Sequence, residues 1–403
     1  MALRHGSMGE VNVHLVLAYF RDHPRTTRPE IAADLGLSPA SVSRIVAKLV
    51  ARGIIEESGD TFGSGGRPRS VLTLNVASAF VAGIDLGGTK CHGAVAGLDG
   101  RIIAEEYVTV SEAGGAFEAL SRVWKTVQAT AREHGGEPAA LAVGVPAVID
   151  PDTELAVRGP NVGWDGFDLV GRVRAFGVPF VVDNDVNLAA IAEGEVGKAI
   201  GARDYAVLSI GTGLGGAVVS NGHLVRGRHN AAGEIGAMLP EAQMLGDVRA
   251  AGIGGLESIL SGGAIAAHAR ALVADDPTAR AELGDTPTAR EVIDAGLAGH
   301  PHAAGLLGEI VRALAQAVVT IAAVTDPEVI VIDGSVGRAM APMLGEVAAL
   351  AAHHIATPPR LEVSDLGPNS TVRGALSGAL NLFWAGMAPA VLDELTLEGG
   401  ASA

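Results

Sequence analysis

The sequence predicts an α/β chain in two unequal parts, a winged helix-turn-helix over residues 1–76 followed by a larger duplicated α/β unit, and three observations lead to that class. Charge is unevenly divided: within a net charge of −16 over 403 residues, the first 75 carry nine Lys/Arg against seven Asp/Glu, and the rest carry twenty against thirty-eight. Apolar periodicity in the basic part is helical and is interrupted by short glycine-bearing turns. In the acidic part, a strand, a glycine turn and a second strand occur twice. With 48% hydrophobic, 18% charged and 3% aromatic residues, the composition excludes a wholly disordered, collagen-like or disulfide-stapled chain. Cys91, the sole cysteine, excludes an internal disulfide and a multi-cysteine zinc site. No run of about 18 apolar residues passes without a charge or a Gly/Pro break, and the N-terminus lacks an apolar signal core, so a cytoplasmic protein with no membrane partner is expected.

In the basic part, Val13, Val16, Leu17 and Phe20 fall at i, i+3, i+4, i+7 and make one helix face. Thr27-Arg28-Pro29-Glu30 is a capping box with Pro in the first turn, and its helix stops at Gly36. Ser38 caps the next helix, Pro39 opens it, Val42, Ile45, Val46 and Leu49 form its buried face, and Gly53 ends it. Helix, short turn and helix make a helix-turn-helix. The opposite face carries Ala40, Ser41, Ser43, Arg44, Ala47 and Lys48, short side chains that allow approach to base edges and cations for phosphates. Ile54–Glu57 and Ser70–Leu74 read as two strands of a wing whose Arg67 and Arg69 suit a minor groove. Arg28, Ser38, Ala40, Ser41, Ser43, Arg44, Lys48, Arg67 and Arg69 are thus the candidate DNA contacts; a helix-turn-helix used for protein contact is the alternative.

From Phe80 the pattern turns to strands: Phe80–Leu86, Cys91–Leu98 and Arg101–Thr109, with Gly87–Lys90 and Asp99-Gly100 as turns. A helix (Ala116–His134), a strand (Ala139–Val145), a helix (Phe167–Phe176) and a strand (Val178–Val182) follow. Tyr205–Ile210, Gly211–Gly215, Gly216–Val218 and Asn221-Gly222 repeat the opening hairpin, which predicts two similar lobes, 77–200 and 201–372, a helix at 373–390 completing the first. Gly87, Gly88, Thr89 and Lys90 offer backbone N–H groups, a hydroxyl and a cation to an anion, Asp85 offers a carboxylate to a Mg²⁺-bound water, and Gly211, Thr212 and Gly213 match them in the second lobe. Tight hairpins require glycine on conformational grounds as well. Asp183-Asn184-Asp185-Val186-Asn187 closes an apolar strand and opens a helix, where ligands of open α/β sheets bind, and Asp185 is a candidate general base. The same residue types are ordinary helix caps. Leu306–Val324 reads as a core helix, Asp393–Ala403 as a frayed tail, and His223, His229, His300, His302, His353 and His354 as exposed or capping.

These motifs, with Gly66-Arg67-Pro68, Pro160-Asn161, Gly233-Glu234-Ile235-Gly236 and Leu256-Glu257, together resemble the ROK family (repressors, open reading frames, kinases) from about residue 8 to about residue 385. The resemblance implies a two-lobed actin/hexokinase-like (ribonuclease H-like duplicated) domain. It further implies that Asn161, Asn184, Asp185, Glu234 and Glu257 contact a sugar-like ligand, with Gly334 in an adenosine-side loop. Fixed amides and carboxylates suit a polyhydroxylated ligand. In the family a His after Gly-Glu-x-Gly and a cysteine run ligate zinc; here Ala237 takes the His position, and Val248, Ala250 and Gly255 fall at or near those of the cysteines, so no zinc is expected. The leading expectation is a sugar-controlled repressor, acting as a homodimer or dimer of dimers on operator DNA, in which an effector closes the cleft between lobes and needs no cofactor. The alternative is a sugar kinase using ATP and Mg²⁺ with an accessory DNA-binding module; a third is a constitutive DNA-binding dimer.

Overall fold

The computed structural model describes residues 8–61, 70–157, 159, 162–240 and 254–400. In its first helix, α1 (Met8–Asp22), the i, i+3, i+4, i+7 set Val13, Val16, Leu17 and Phe20 is buried. β1 (Arg25–Thr26) follows, and α2 (Arg28–Leu35) begins where the Thr27 N–H donates to Glu30 Oε2 at 2.9 Å. Ser38 Oγ accepts from the Ser41 N–H at 3.1 Å and starts α3 (Pro39–Ala51), whose buried face is Val42, Ile45, Val46 and Leu49. β2 (Ile55–Thr61) and β3 (Ser70–Leu74) form the antiparallel wing, in a three-stranded sheet of order β1-β3-β2. β1 escapes sequence reading: two residues have no period, and their pairing, Arg25↔Thr73, depends on a strand remote in sequence.

The duplication holds at the level of topology. β4 (Phe80–Leu86), β5 (Lys90–Gly97) and β6 (Ile102–Thr109) form a meander. Then come α4 (Val110–Ala113), α5 (Ala116–Glu133), β7 (Pro138–Val145), a small hairpin of β8 (Val148–Ile149) and β9 (Ala156–Val157), α6 (Leu169–Arg174) and β10 (Phe180–Asn184). The sheet order is β10-β7-β4-β5-β6.

After α7 (Asp185–Val196), the second sheet opens with β11 (Tyr205–Ile210), β12 (Leu214–Ser220) and β13 (His223–Leu224). Five helices follow: α8 (Glu257–Leu260), α9 (Gly262–Asp275), α10 (Pro277–Leu283), α11 (Ala289–Leu297) and α12 (Pro301–Thr325). β14 (Val329–Asp333), α13 (Gly334–Ala339), α14 (Leu344–Ala352), β15 (Arg360–Val363) and α15 (Ser370–Gly400) end the chain. Its order is β13-β12-β11-β14-β15. Each sheet therefore places its first strand centrally, its second and third on one side, its fourth and fifth on the other.

Packing divides the chain into one unit of Met1–Val143, Val170–Val182 and Ala375–Ala403 and another of Gly144–Leu169 and Asp183–Gly374. This partition differs from the expected lobes because α7 packs with the second sheet: Val186 and Ala190 join Val207, Ala217 and Val331 in one cluster. α12 is the core helix expected over 306–324, with Leu307, Ile310, Leu314 and Val318 set among Leu208, Ile330 and Ile332. α12 and the 367–392 segment are long and apolar enough to cross a membrane; the most apolar windows are 56% and 39% buried within the protein. Of the tail expected to fray over Asp393–Ala403, the described residues to Gly400 continue α15, and 401–403 lie outside the described residues.

Leu49 is fully buried in α3. Leu49→Ala should destabilise the N-terminal domain by about 2–5 kcal/mol, seen as faster hydrogen exchange in α1–α3 with α12 unchanged.

Candidate functional site

The candidate DNA face lies on α3. Ala40, Ser43, Arg44 and Ala47 are exposed, while Ser41 and Lys48 are half-exposed. Ser38 is engaged as the cap, accepting from the Ser41 N–H and donating to Ser41 Oγ at 2.9 Å. Arg28 is held on the wing: its two terminal nitrogens donate to the Glu57 carboxylate at 2.6 and 2.9 Å, and this cation keeps the Glu57 carboxyl below its ordinary range. Arg67 and Arg69 lie outside the described residues.

The second unit assembles the carboxylates and amides expected to meet a sugar. α7 starts at the end of β10, where both Asn184 Oδ1 and Asp185 Oδ1 accept from the Val186 N–H, at 3.0 and 2.9 Å. Burial lifts the Asp185 carboxyl to about 7; the backbone N–H groups work against this, and the neighbouring Glu234 and Asp333 carboxylates reinforce it. Glu234 is delivered by Gly233, whose φ of 93° and close approach to the Gly216 carbonyl, 2.2 Å from where a Cβ would sit, admit no other residue. Glu257 opens α8, and its Oε1 accepts from the Leu214 N–H at 3.3 Å. Asn161 lies outside the described residues.

Around this group stand residues that sequence reading did not assign. Asp183, 8% exposed, accepts on Oδ1 from the Asn184 N–H and from Asn187 Nδ2, both at 2.8 Å, and on Oδ2 from Arg226 at 2.5 Å. Asp333 accepts from Arg338 at 2.8 Å and from Ser370 Oγ at 2.7 Å. Nothing in the neighbours of Arg226 or Arg338 signals a partner, since the carboxylate of Arg226 lies 43 residues away.

The expected phosphate groups fall into two sets. In the second unit, a cavity of 370 Å³ is lined by Gly211 and Thr212, the starts of α9 and α11, Ser335, Arg270 and Arg290. Gly213 is not part of its wall; its carbonyl accepts from the Gly211 N–H at 3.0 Å. Gly334 holds the neighbouring turn with φ 82° and no space for a Cβ beside the Ile210 carbonyl. In the first unit, Gly88, Thr89 and Lys90 are exposed, Gly87 donates to the Lys90 carbonyl at 2.9 Å, and Asp85 stands opposite His92 in the strand pair. Lys90 begins β5, so it belongs to the strand and not to the turn expected from sequence.

The residues present do not fit a structural zinc. Ala237 and Gly255 have no donor atom, and Cys91 is buried in the first unit; Val248 and Ala250 lie outside the described residues. Of the histidines set aside as exposed or capping, His302 bonds Glu282 through Nδ1 at 2.9 Å and Asp276 through Nε2 at 3.1 Å, tying α10 to α12.

The elevated Asp185 pKa has a thermodynamic consequence. A carboxyl that ionises near 7 when folded and near 3.8 when unfolded leaves the unfolded chain binding fewer protons in that interval, so it costs stability progressively from about pH 4 to pH 7 and by a constant amount above. Asp185→Asn should therefore be more stable than the wild type, with the gap about 2–3 kcal/mol wider at pH 8 than at pH 5 in denaturant titrations. A gap independent of pH would refute the assignment.

Residues 81–383 match the ROK family, and residues 13–56 match a winged helix-turn-helix DNA-binding family. A xylose repressor of Caldicellulosiruptor bescii is 28% identical over 239 residues, 58% of this chain and 59% of the repressor, so the chain spans about three-fifths of that relative's length. A glucokinase of Halalkalibacterium halodurans is 28% identical over 313 residues, 74% of this chain and 94% of the glucokinase. Among solved structures, a ROK family transcriptional regulator, a homolog of the E. coli MLC protein, superposes with a TM-score of 0.79 at 21% identity, covering 96% of this chain and 99% of the other, which establishes the shared fold. With its duplicated sheets and the Asn184, Asp185, Glu234 and Glu257 motifs all inside the matched residues 81–383, the chain is a member of the ROK family.

Proposed function

We propose that the chain is a transcriptional repressor that binds operator DNA through α3 and its wing, and that a small sugar or sugar derivative at Asn184, Asp185, Glu234 and Glu257, with Asn161 completing the set, changes its affinity for DNA. It works in the cytoplasm as a dimer on a two-fold operator and needs no cofactor. The observation that carries this reading is the outward face of α3, where Ala40, Ser43 and Arg44 stand exposed in a chain whose other unit collects the polar groups for a polyol. The names of relatives support it, the C. bescii protein being a xylose repressor. An effector can shift DNA affinity only by its own preference between two states.

Purified protein should bind its own upstream DNA in a salt-dependent, sequence-dependent manner, read by fluorescence anisotropy. Arg44→Ala should weaken specific binding by about 1–3 kcal/mol if it reads a base, and Lys48→Ala should lower the salt slope by about 1. A panel of hexoses, pentoses and N-acetylhexosamines should contain a compound that changes the DNA affinity; no sequence-dependent binding under any condition would remove the reading.

A second reading, a sugar kinase with a DNA-binding module, is favoured by the Asp185 carboxyl at about 7, poised for a general base at neutral pH. In that case Asp185 would take the proton of the attacking sugar hydroxyl, and MgATP would supply the phosphoryl group. ADP release with any panel sugar, abolished in Asp185→Asn, would establish it; sugar binding without ADP release would leave the repressor alone.

A further inference from the structure

Resting on the sugar-binding reading, we propose that Arg226 is a positioning residue of that site: its guanidinium on Asp183 clamps the loop that delivers Glu234 to the turn that delivers Asn184 and Asp185. The loop is the 225–233 segment between β13 and Glu234. It closes on itself, with the Ala232 N–H donating to the Arg226 carbonyl at 3.1 Å, and its base is tied to β12 by the Val225 N–H on the Val218 carbonyl at 2.8 Å. Three side chains leave it for the rest of the second unit: Arg226 for Asp183, Arg228 for Asp152 at 2.7 Å, and Asn230 for the Ile149 carbonyl at 2.9 Å.

These contacts are not equivalent. Arg228 and Asp152 are 65% and 59% exposed, and an ion pair so open to water contributes little. Asp183 is 8% exposed, and its other oxygen is already committed to the Asn184 N–H and to Asn187 Nδ2. Without Arg226 its carboxylate would be a partly desolvated anion with no countercharge, two residues from Asp185 and in contact with the backbone of Asn184. Asp185 already faces Glu234 and Asp333, the latter neutralised by Arg338. A shift of Asp183 moves Asn184, and the loop that carries Glu234 loses its tether to that turn.

The test is calorimetric titration of full-length protein with each hexose, pentose and N-acetylhexosamine of the panel, from pH 5.5 to 8.5, each variant being checked for an unchanged melting profile. Arg226→Met should weaken sugar binding by about tenfold to a hundredfold and raise the pH midpoint of binding, because the uncompensated Asp183 anion opposes ionisation of Asp185. Asp183→Asn combined with Arg226→Met should bring the midpoint back toward wild type, since an Asn carbonyl still accepts from Asn184 and Asn187 while the charge is gone. Arg226→Lys should keep the midpoint and lose part of the affinity, and Arg228→Met should stay within about twofold of wild type. If Arg226→Met does not fold, the double variant and Arg226→Lys carry the same comparison. Wild-type affinity and midpoint in Arg226→Met, or losses matched by Arg228→Met, overturn the clamp while leaving the sugar site intact; a wild type that binds no sugar removes both.

Discussion

The start of α7 is the constraint around which the second unit is organised. Three consecutive polar residues occupy the end of a strand and the beginning of a helix, where the first backbone N–H groups lack intrahelical acceptors. Asn184 and Asp185 both satisfy the Val186 N–H, and Asp183 Oδ1 accepts from the Asn184 N–H and, one turn on, from Asn187 Nδ2. The helix cannot move without these side chains, nor they without it. On its other face α7 is held by apolar packing against β11 and β12. The polar residues of this turn and the core are thus joined through one turn of backbone, an arrangement that holds polar groups in fixed geometry.

Much of this was legible in the sequence because it is local. Capping residues, glycine turns and the 3.6-residue period located α1, α2, α3, α5 and α12 to within a few residues, and the recurrence of one hairpin predicted two similar lobes; that their sheets share one strand order came from the structure. Asn184, Asp185, Glu234 and Glu257 were found from motifs, and the structure brings them into one unit. What escaped is non-local. β1 exists only through its partner β3. The division between units cuts across the expected lobes because Val186 and Ala190 find their apolar neighbours in the second sheet, a choice no window of sequence reveals. Arg226 and Arg338 matter through carboxylates distant in the chain or across a helix turn, and a single arginine has no pattern to distinguish it from a solvated one.

The missing metal donors give the polar contacts of the second unit added weight. At Ala237 and Gly255, near which the family resemblance implies metal donors, no side-chain ligand atom is present, and described glycines on either side make close backbone contacts. Gly233 against the Gly216 carbonyl and Gly254 against the Gly236 carbonyl are contacts of this kind, tolerable only to residues without a Cβ. Backbone packed this tightly has few alternative arrangements, which substitutes geometric exclusion for coordination.

At Asp185 the folded state works against itself. A carboxyl in that position would be more stable as an amide or an apolar group, since burial and two neighbouring acids oppose its charge. Sequences break local rules of this kind mainly where a ligand is to be met. A sugar hydroxyl donating to Asp185 would stabilise the ionised form, so binding and ionisation must favour one another. The same reciprocity explains why a sensor benefits from retaining a group fit for general-base chemistry even if no phosphoryl transfer occurs: a carboxyl whose charge is opposed alone and favoured with ligand contributes more to the difference between two states than one already at rest.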